Sequence, residues 1–136
     1  MSRVPMPSFL RRTTARAGLT AAVTVVAAGA ALMGAAPAQA ATLGAQQIAH
    51  QLIPNAGQYA AFNAIIQHES GWRTRAVNAS GAYGLGQALP ASKMASFGPN
   101  WKSNPRTQIK WALNYMDTRY GSPEAAWSFW QAHQWY

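Results

Sequence analysis

Between Arg16 and Glu69 the chain carries no Asp, Glu, Lys or Arg, and the charge that ends this gap is a single carboxyl. Phe62, Ile65, Ile66 and Glu69 stand at i, i+3, i+4 and i+7, so in a helix they share one face. A face bearing Phe and two Ile turns inward, which leaves the carboxyl half-buried at the edge of a core or a cleft. Gly71 can end that helix two residues later. Glu69 then sits in the last turn, where the helix dipole opposes negative charge. Desolvation and the dipole push its pKa the same way, upward. A carboxyl that stays protonated near neutral pH is what a general acid requires. The plainer reading is a helix-end Glu that reaches solvent, since a perturbed carboxyl marks a site only statistically.

Other chemistry finds little support. Past residue 41 there are three carboxyls, Glu69, Asp117 and Glu124. Asp117 shares the polar side of its helix with Lys110 and Asn114, and Glu124 stands at a helix start. A two-carboxylate glycosidase needs a partner about 5–9.5 Å away, and neither offers itself. His50, His68 and His133 are scattered, there is no Cys, and no paired acids stand at ligand spacing. No metal site is expected. His68 points about 100° away from Glu69 round the helix and reads as structural. No Ser occupies a strand-to-helix elbow. The segment with Gly81, Gly84 and Gly86 lacks the Gly-Lys-Ser/Thr of a phosphate cradle. Its glycines suit a turn-rich connector, or close backbone approach to a bulky ligand that Tyr83 and Gln87 would touch. Trp72 beside Arg73 and Arg75 is the best case for single-stranded nucleic acid, and the export signal described next argues against it.

The elements that must hold Glu69 follow from the remaining pattern. Arg3, Arg11, Arg12 and Arg16 precede an uncharged run rich in Ala, Val, Leu and Gly, and Ala38 and Ala40 form a small-x-small site. Residues 1–40 thus read as a secretory signal cut after Ala40, too weakly apolar for a permanent span. Arg11-Arg12 invites a twin-arginine export signal, but Thr13-Thr14 stand where apolar residues belong. The remaining domain, 41–136, carries seven of the 11 basic residues and all three acids, a net charge of +4 out of the whole chain's +8. That charge suits an anionic polymer. With no Cys the domain relies on its core, to which all six Trp, each beyond residue 41, can contribute. A short helix opens between Thr42 and Ala45 and stops at Pro54. Asn55-Ala56-Gly57 reads as a turn. The Glu69 helix spans 58–70, and another short helix spans 90–95. Asn104-Pro105 and Ser122-Pro123-Glu124 each give a cap, a first-turn Pro and a helix. The stripe of the former is Ile109, Ala112, Leu113, Met116 and Tyr120; the latter carries Trp127, Phe129 and Trp130. Strand alternation is scarce, so an all-α domain of five or six helices is expected.

Glu69-Ser70-Gly71-Trp72, Asn78, Gly81-Ala82-Tyr83-Gly84-Leu85-Gly86-Gln87 and Pro90 together resemble the soluble lytic transglycosylase domain. A looser likeness continues through Asn114, Tyr115 and Tyr120-Gly121 to Trp127. The resemblance implies a lysozyme-like fold. It implies an enzyme that cuts peptidoglycan between N-acetylmuramic acid and N-acetylglucosamine, without water, leaving a 1,6-anhydromuramic end. It makes Glu69 the sole catalytic carboxyl, Ser70 the residue that orients it, and Gly84 and Gln87 part of the sugar sites, with Tyr83 beside them. It implies peptidoglycan strands as partner, secretion, no cofactor, no nucleic acid, no lasting membrane insertion, and a chain acting as a monomer. A non-cutting glycan binder and a lysozyme-type hydrolase are the alternatives. One departure stands out. Where the family often has Ala-Tyr-Asn-Ala-Gly, with the Tyr reaching the active site, this chain has Ser128-Phe129-Trp130-Gln131-Ala132. No Tyr hydroxyl is offered there, and Trp130 is expected to pack rather than to stack on sugar.

Overall fold

The structure is a computed structural model that describes the backbone of residues 24–136 and the side chains of residues 37–136. Residues 1–23 of the expected export segment lie outside the described residues. The account below concerns the unit Ala35–Tyr136.

Four α-helices and one 3₁₀ segment are present among the described residues: α1 (Thr24–Leu52), α2 (Ala56–Ser70), the 3₁₀ segment Ala91–Phe97, α3 (Pro105–Tyr120) and α4 (Pro123–His133). The domain is all-α; its only ladder pairing among the described residues is two isolated antiparallel bridges, Val77 to Tyr83 and Tyr83 to Ala88.

Two boundaries differ from expectation. Within the described residues the first helix already runs from Thr24 and does not open near Thr42. The alanine-rich run before Thr42 has high helix propensity, and Pro37, inside the helix, removes one donor without ending it. Asn55-Ala56-Gly57 is not a turn. Asn55 caps α2, its side-chain oxygen accepting from the Gln58 N–H at 3.0 Å, so Ala56 and Gly57 are already helical. The other termini follow their signals. Asn104 accepts from the Arg106 N–H and Ser122 from the Ala125 N–H, each ahead of a first-turn Pro. Gly71 ends α2 in the left-handed region at φ 58°, its N–H returning to the Gln67 carbonyl.

The core is where these helices turn their apolar faces on one another. Phe62, Ile65 and Ile66 of α2 are fully buried, as are Ile109, Ala112 and Met116 of α3 and Ala126 of α4. Removing each of the larger of these from water stabilises the fold by roughly 1.5–3 kcal/mol. Helix α4 packs on both α2 and α3, and the 3₁₀ segment packs on α3. Ala45, Ala49 and Ile53 bring the end of α1 into the same core. Trp72, just past α2, is buried with its ring 6.2 Å from Phe62 and its indole N–H on Asn63. That ring is therefore not a free surface for stacking bases.

Candidate active site

Glu69 is the next position on the stripe that buries Phe62, Ile65 and Ile66, and it is where the stripe leaves the core. Its carboxyl is half-buried and lines a cleft of about 330 Å³. The indole N–H of Trp130, from α4, donates to its Oε1 at 2.9 Å. Burial pushes the carboxyl above its usual value of 4.5; the Trp130 N–H and the neighbouring His68 pull the other way and offset the rise only in part. Asp117 and Glu124 do not reach this cleft. Asp117 is exposed and lines a separate groove with Ile53, Pro54 and Pro123. Glu124 is exposed at the start of α4, where its N–H bonds to Gln58. Among the described residues, Glu69 is the one acidic side chain on the cleft. No group of His, Cys, Asp and Glu there could hold a metal ion.

Facing Glu69 is the glycine-containing loop, built by local hydrogen bonds. The Asn78 side chain accepts from the N–H groups of Ser80 and Ala82 at 2.9 and 3.0 Å. Tyr83 and Ala88 exchange backbone bonds at 3.0 Å. Gln87 sits at φ 53° and donates its amide to the carbonyls of Gly84 and Ala76. A single side chain of α3, Gln108, fastens the loop from below. It is fully buried, accepts from the Leu85 N–H at 2.8 Å, and donates to the Thr74 and Trp101 carbonyls at 2.9 and 2.8 Å.

The glycines serve this fastening. Gly84 is at φ 80°, and a Cβ there would stand 2.6 Å from the Gln108 Oε1. A Cβ on Gly86 would meet Ala112 at 2.8 Å and the Tyr136 hydroxyl at 2.9 Å. At both positions the close approach is to the protein's own side chains, Gln108 and Ala112 of α3 and Tyr136.

The residues singled out in the sequence are distributed as follows. Glu69 and Gln87 share the cleft, with Asn78, Ser80, Gly86 and Lys93. Ser70 is buried, and its hydroxyl donates to the Ile66 carbonyl at 3.1 Å, one turn back in its own helix. Tyr83 donates to the Lys102 carbonyl at 2.7 Å and sets its ring edge-on to Trp101. Gly84 is buried under the loop. Ser70, Tyr83 and Gly84 therefore support the walls rather than line the cavity. His68 is exposed and stacks on Trp130, ring centroids 4.3 Å apart, with Trp127 on the same stack.

Three contributors were not visible beforehand. Trp130 was expected only to pack, yet its N–H is the direct partner of the carboxyl. Gln108 is a polar residue at the head of an apolar stripe, one turn before Ala112, which is the signal that it must be satisfied internally. Tyr136 lines the cleft and donates its hydroxyl to the Gly86 carbonyl at 2.6 Å. Burial, reinforced by the charge of Glu69 and by Tyr115 and Tyr120, holds this phenol well above the usual value, so it remains a donor. Nothing local in the sequence links position 136 to position 86.

The Trp130 contact gives a direct test. Trp130→Phe keeps a ring in the His68 stack and removes the N–H, which favours the ionised carboxylate. The Glu69 pKa should therefore rise further, read by carbon NMR titration of the side-chain carboxyl. An unchanged value would show that the N–H does not act on it.

Comparison with known proteins places this geometry. Residues 49–133 match the family described as the transglycosylase SLT domain. A protein named probable transglycosylase IsaA, from Staphylococcus haemolyticus, is 37% identical over 89 residues, covering 65% of this chain and 34% of its own length. One of the same name from Staphylococcus xylosus is 36% identical over 87 residues, covering 63% of this chain and 32% of its own. The chain spans about a third of the length of these curated relatives. No solved structure matches it. The family match takes in well over half of the chain, including Glu69, the loop and Trp130, and the chain belongs to the transglycosylase SLT domain family.

Proposed function

We propose that the protein is a peptidoglycan lytic transglycosylase with Glu69 as acid and then base. The observation that carries this reading is one half-buried carboxyl, raised in pKa by burial, alone among acidic side chains on a polar cleft. Chemistry with two carboxylates has no second group here; chemistry with one needs the same group to serve twice.

The sequence of proton movements is as follows. Glu69 gives its proton to the oxygen of the bond between N-acetylmuramic acid and N-acetylglucosamine, and that C–O bond breaks. The N-acetyl group of the muramic ring supports the electron-poor anomeric carbon. The Glu69 carboxylate takes the proton of the same sugar's C6 hydroxyl as its oxygen bonds to the anomeric carbon, closing the 1,6-anhydro ring. Glu69 ends protonated, ready for another cycle, and no water is consumed. The two opposed influences on the carboxyl suit its two duties. Burial favours the protonated form needed at the start, and the Trp130 N–H and His68 favour the ionised form needed midway. Gln87, Asn78, Ser80 and Lys93 supply polar contacts to the glycan.

Export is part of the proposal. Pro37 to Ala40 are exposed and the core begins at Ala45, so a cut after Ala40 would shorten α1 but keep the end of it that packs. Among the described residues no helix is long and apolar enough to cross a membrane. The protein is expected to work as a monomer without a cofactor.

The test is a digest of purified peptidoglycan with products weighed. Muramic ends lighter by one water than reducing ends support the proposal. Reducing ends would make the protein a hydrolase, and no products would make it a binder.

A further inference from the structure

Trp135 and Tyr136 follow the stretch matched by the family, which ends at residue 133, yet both line the Glu69 cleft. The tail that carries them is fastened on either side. Tyr136 is tied to the loop through the Gly86 carbonyl and sets its ring edge-on to Tyr115 at 5.3 Å. The Trp135 ring meets Phe129 edge-on at 4.8 Å, and the Arg119 guanidinium lies 5.7 Å from its centroid. An indole with these contacts has less rotamer freedom to lose when a ligand arrives, so binding to it costs less ordering entropy.

The burial of the six tryptophans is uneven. Trp72 and Trp111 are buried, and Trp101, Trp127 and Trp130 are partly buried against the core or one another. Trp135 is the exposed one, at 50%. An exposed indole on the wall of a cleft, beside the equally exposed Leu89, offers a ligand an apolar face. The cleft around it sets apolar Leu89 and Trp135 beside polar Asn78, Ser80, Gln87 and Lys93. That is the pattern of a pyranose ring, apolar on its C–H faces and hydrogen-bonding round its edge.

We propose that Trp135 is a stacking platform for one N-acetylated pyranose of a β-1,4 glycan in the Glu69 cleft, held ready by the bond from Tyr136 to Gly86. The choice of sugar rests on the transglycosylase reading; the platform rests on the geometry of the tail.

The experiment uses the Glu69→Gln protein, which leaves the ligand uncut, and the tetrasaccharide of β-1,4 N-acetylglucosamine as probe. The indole N–H resonance of Trp135, assigned by its loss in Trp135→Phe, should move on titration. Adding Trp135→Ala should weaken binding about tenfold, with the circular dichroism of the helices unchanged because the ring is outside the core. A Trp135 resonance that stays still, affinity within twofold of the parent, or no binding of the tetrasaccharide would each overturn the platform. The two readings separate cleanly. Anhydro ends from peptidoglycan with sugar affinity indifferent to Trp135 keep the enzyme and lose the platform. Sugar binding through Trp135 without anhydro ends does the reverse.

Discussion

Glu69→Gln is expected to lower turnover on peptidoglycan about a thousandfold or more, since one group supplies both the acid and the base of the reaction. Gln keeps the shape and an oxygen acceptor for the Trp130 N–H, so the cleft should not collapse. A variant that retains near-normal turnover would remove Glu69 from the mechanism. In the parent protein the fall in activity toward alkaline pH should follow a carboxyl titrating above the usual 4.5, because burial raises it. A profile flat from acid to pH 8 would contradict that assignment.

The same substitution has a signed effect on stability. A carboxyl whose pKa is raised by folding binds its proton more tightly in the native than in the unfolded state. Ionising it therefore costs stability, first as pH passes the unfolded value near 4.5 and fully once pH exceeds the native value. Gln does not ionise. Glu69→Gln should thus match the parent in melting temperature at acid pH and exceed it at neutral pH. A parent protein more stable than the variant at neutral pH would mean that the cleft stabilises the charge instead of resisting it. Active sites that hold a group out of its preferred state commonly show this exchange of stability for function.

Gln108→Leu should have the largest effect on the fold. The replacement fills much of the same volume, but it leaves the Leu85 N–H and the Thr74 and Trp101 carbonyls without their partner. At about 1–3 kcal/mol for each buried group left unpaired, the loss is about 3 kcal/mol or more. For a domain near 100 residues that lowers the melting temperature by about 12 °C or more. Thermal unfolding followed by circular dichroism measures it; a drop of only a degree or two would show that water replaces the side chain at no cost. Activity should fall as well, since the loop that Gln108 holds carries Gln87 and Gly86 into the cleft. Gly84→Ala strains the same contact from the other side. In a Gln108→Ala background it should cost less than in the parent, because the amide it collides with is gone and only the left-handed backbone remains.

Much of this was legible in the sequence because it is local. The spacing of Phe62, Ile65, Ile66 and Glu69 states which face of α2 is buried and where a carboxyl meets its edge. Asn104 with Pro105, Ser122 with Pro123, and Gly71 mark helix ends through bonds made within one turn. What escaped notice has two causes. Asn55 looked like part of a turn because a cap and a turn use the same residue types, and the decision between them lies in the backbone angle. The Ser128 to Ala132 segment looked short of a polar group because the indole N–H of Trp130 reads as part of a packing ring until its contact with Glu69 is seen. Gln108 fastening the loop arises only when α3 lies beneath it, and the pairings of 86 with 136 and 69 with 130 only when α4 lies across α2 and α3. The sequence alone determined that one carboxyl would sit at the rim of an apolar helix face in an all-helical domain. The tertiary structure alone decided which groups meet that carboxyl and which wall faces it, because those neighbours are brought together by helix packing over dozens of residues, and side-chain periodicity carries no information about partners so far apart.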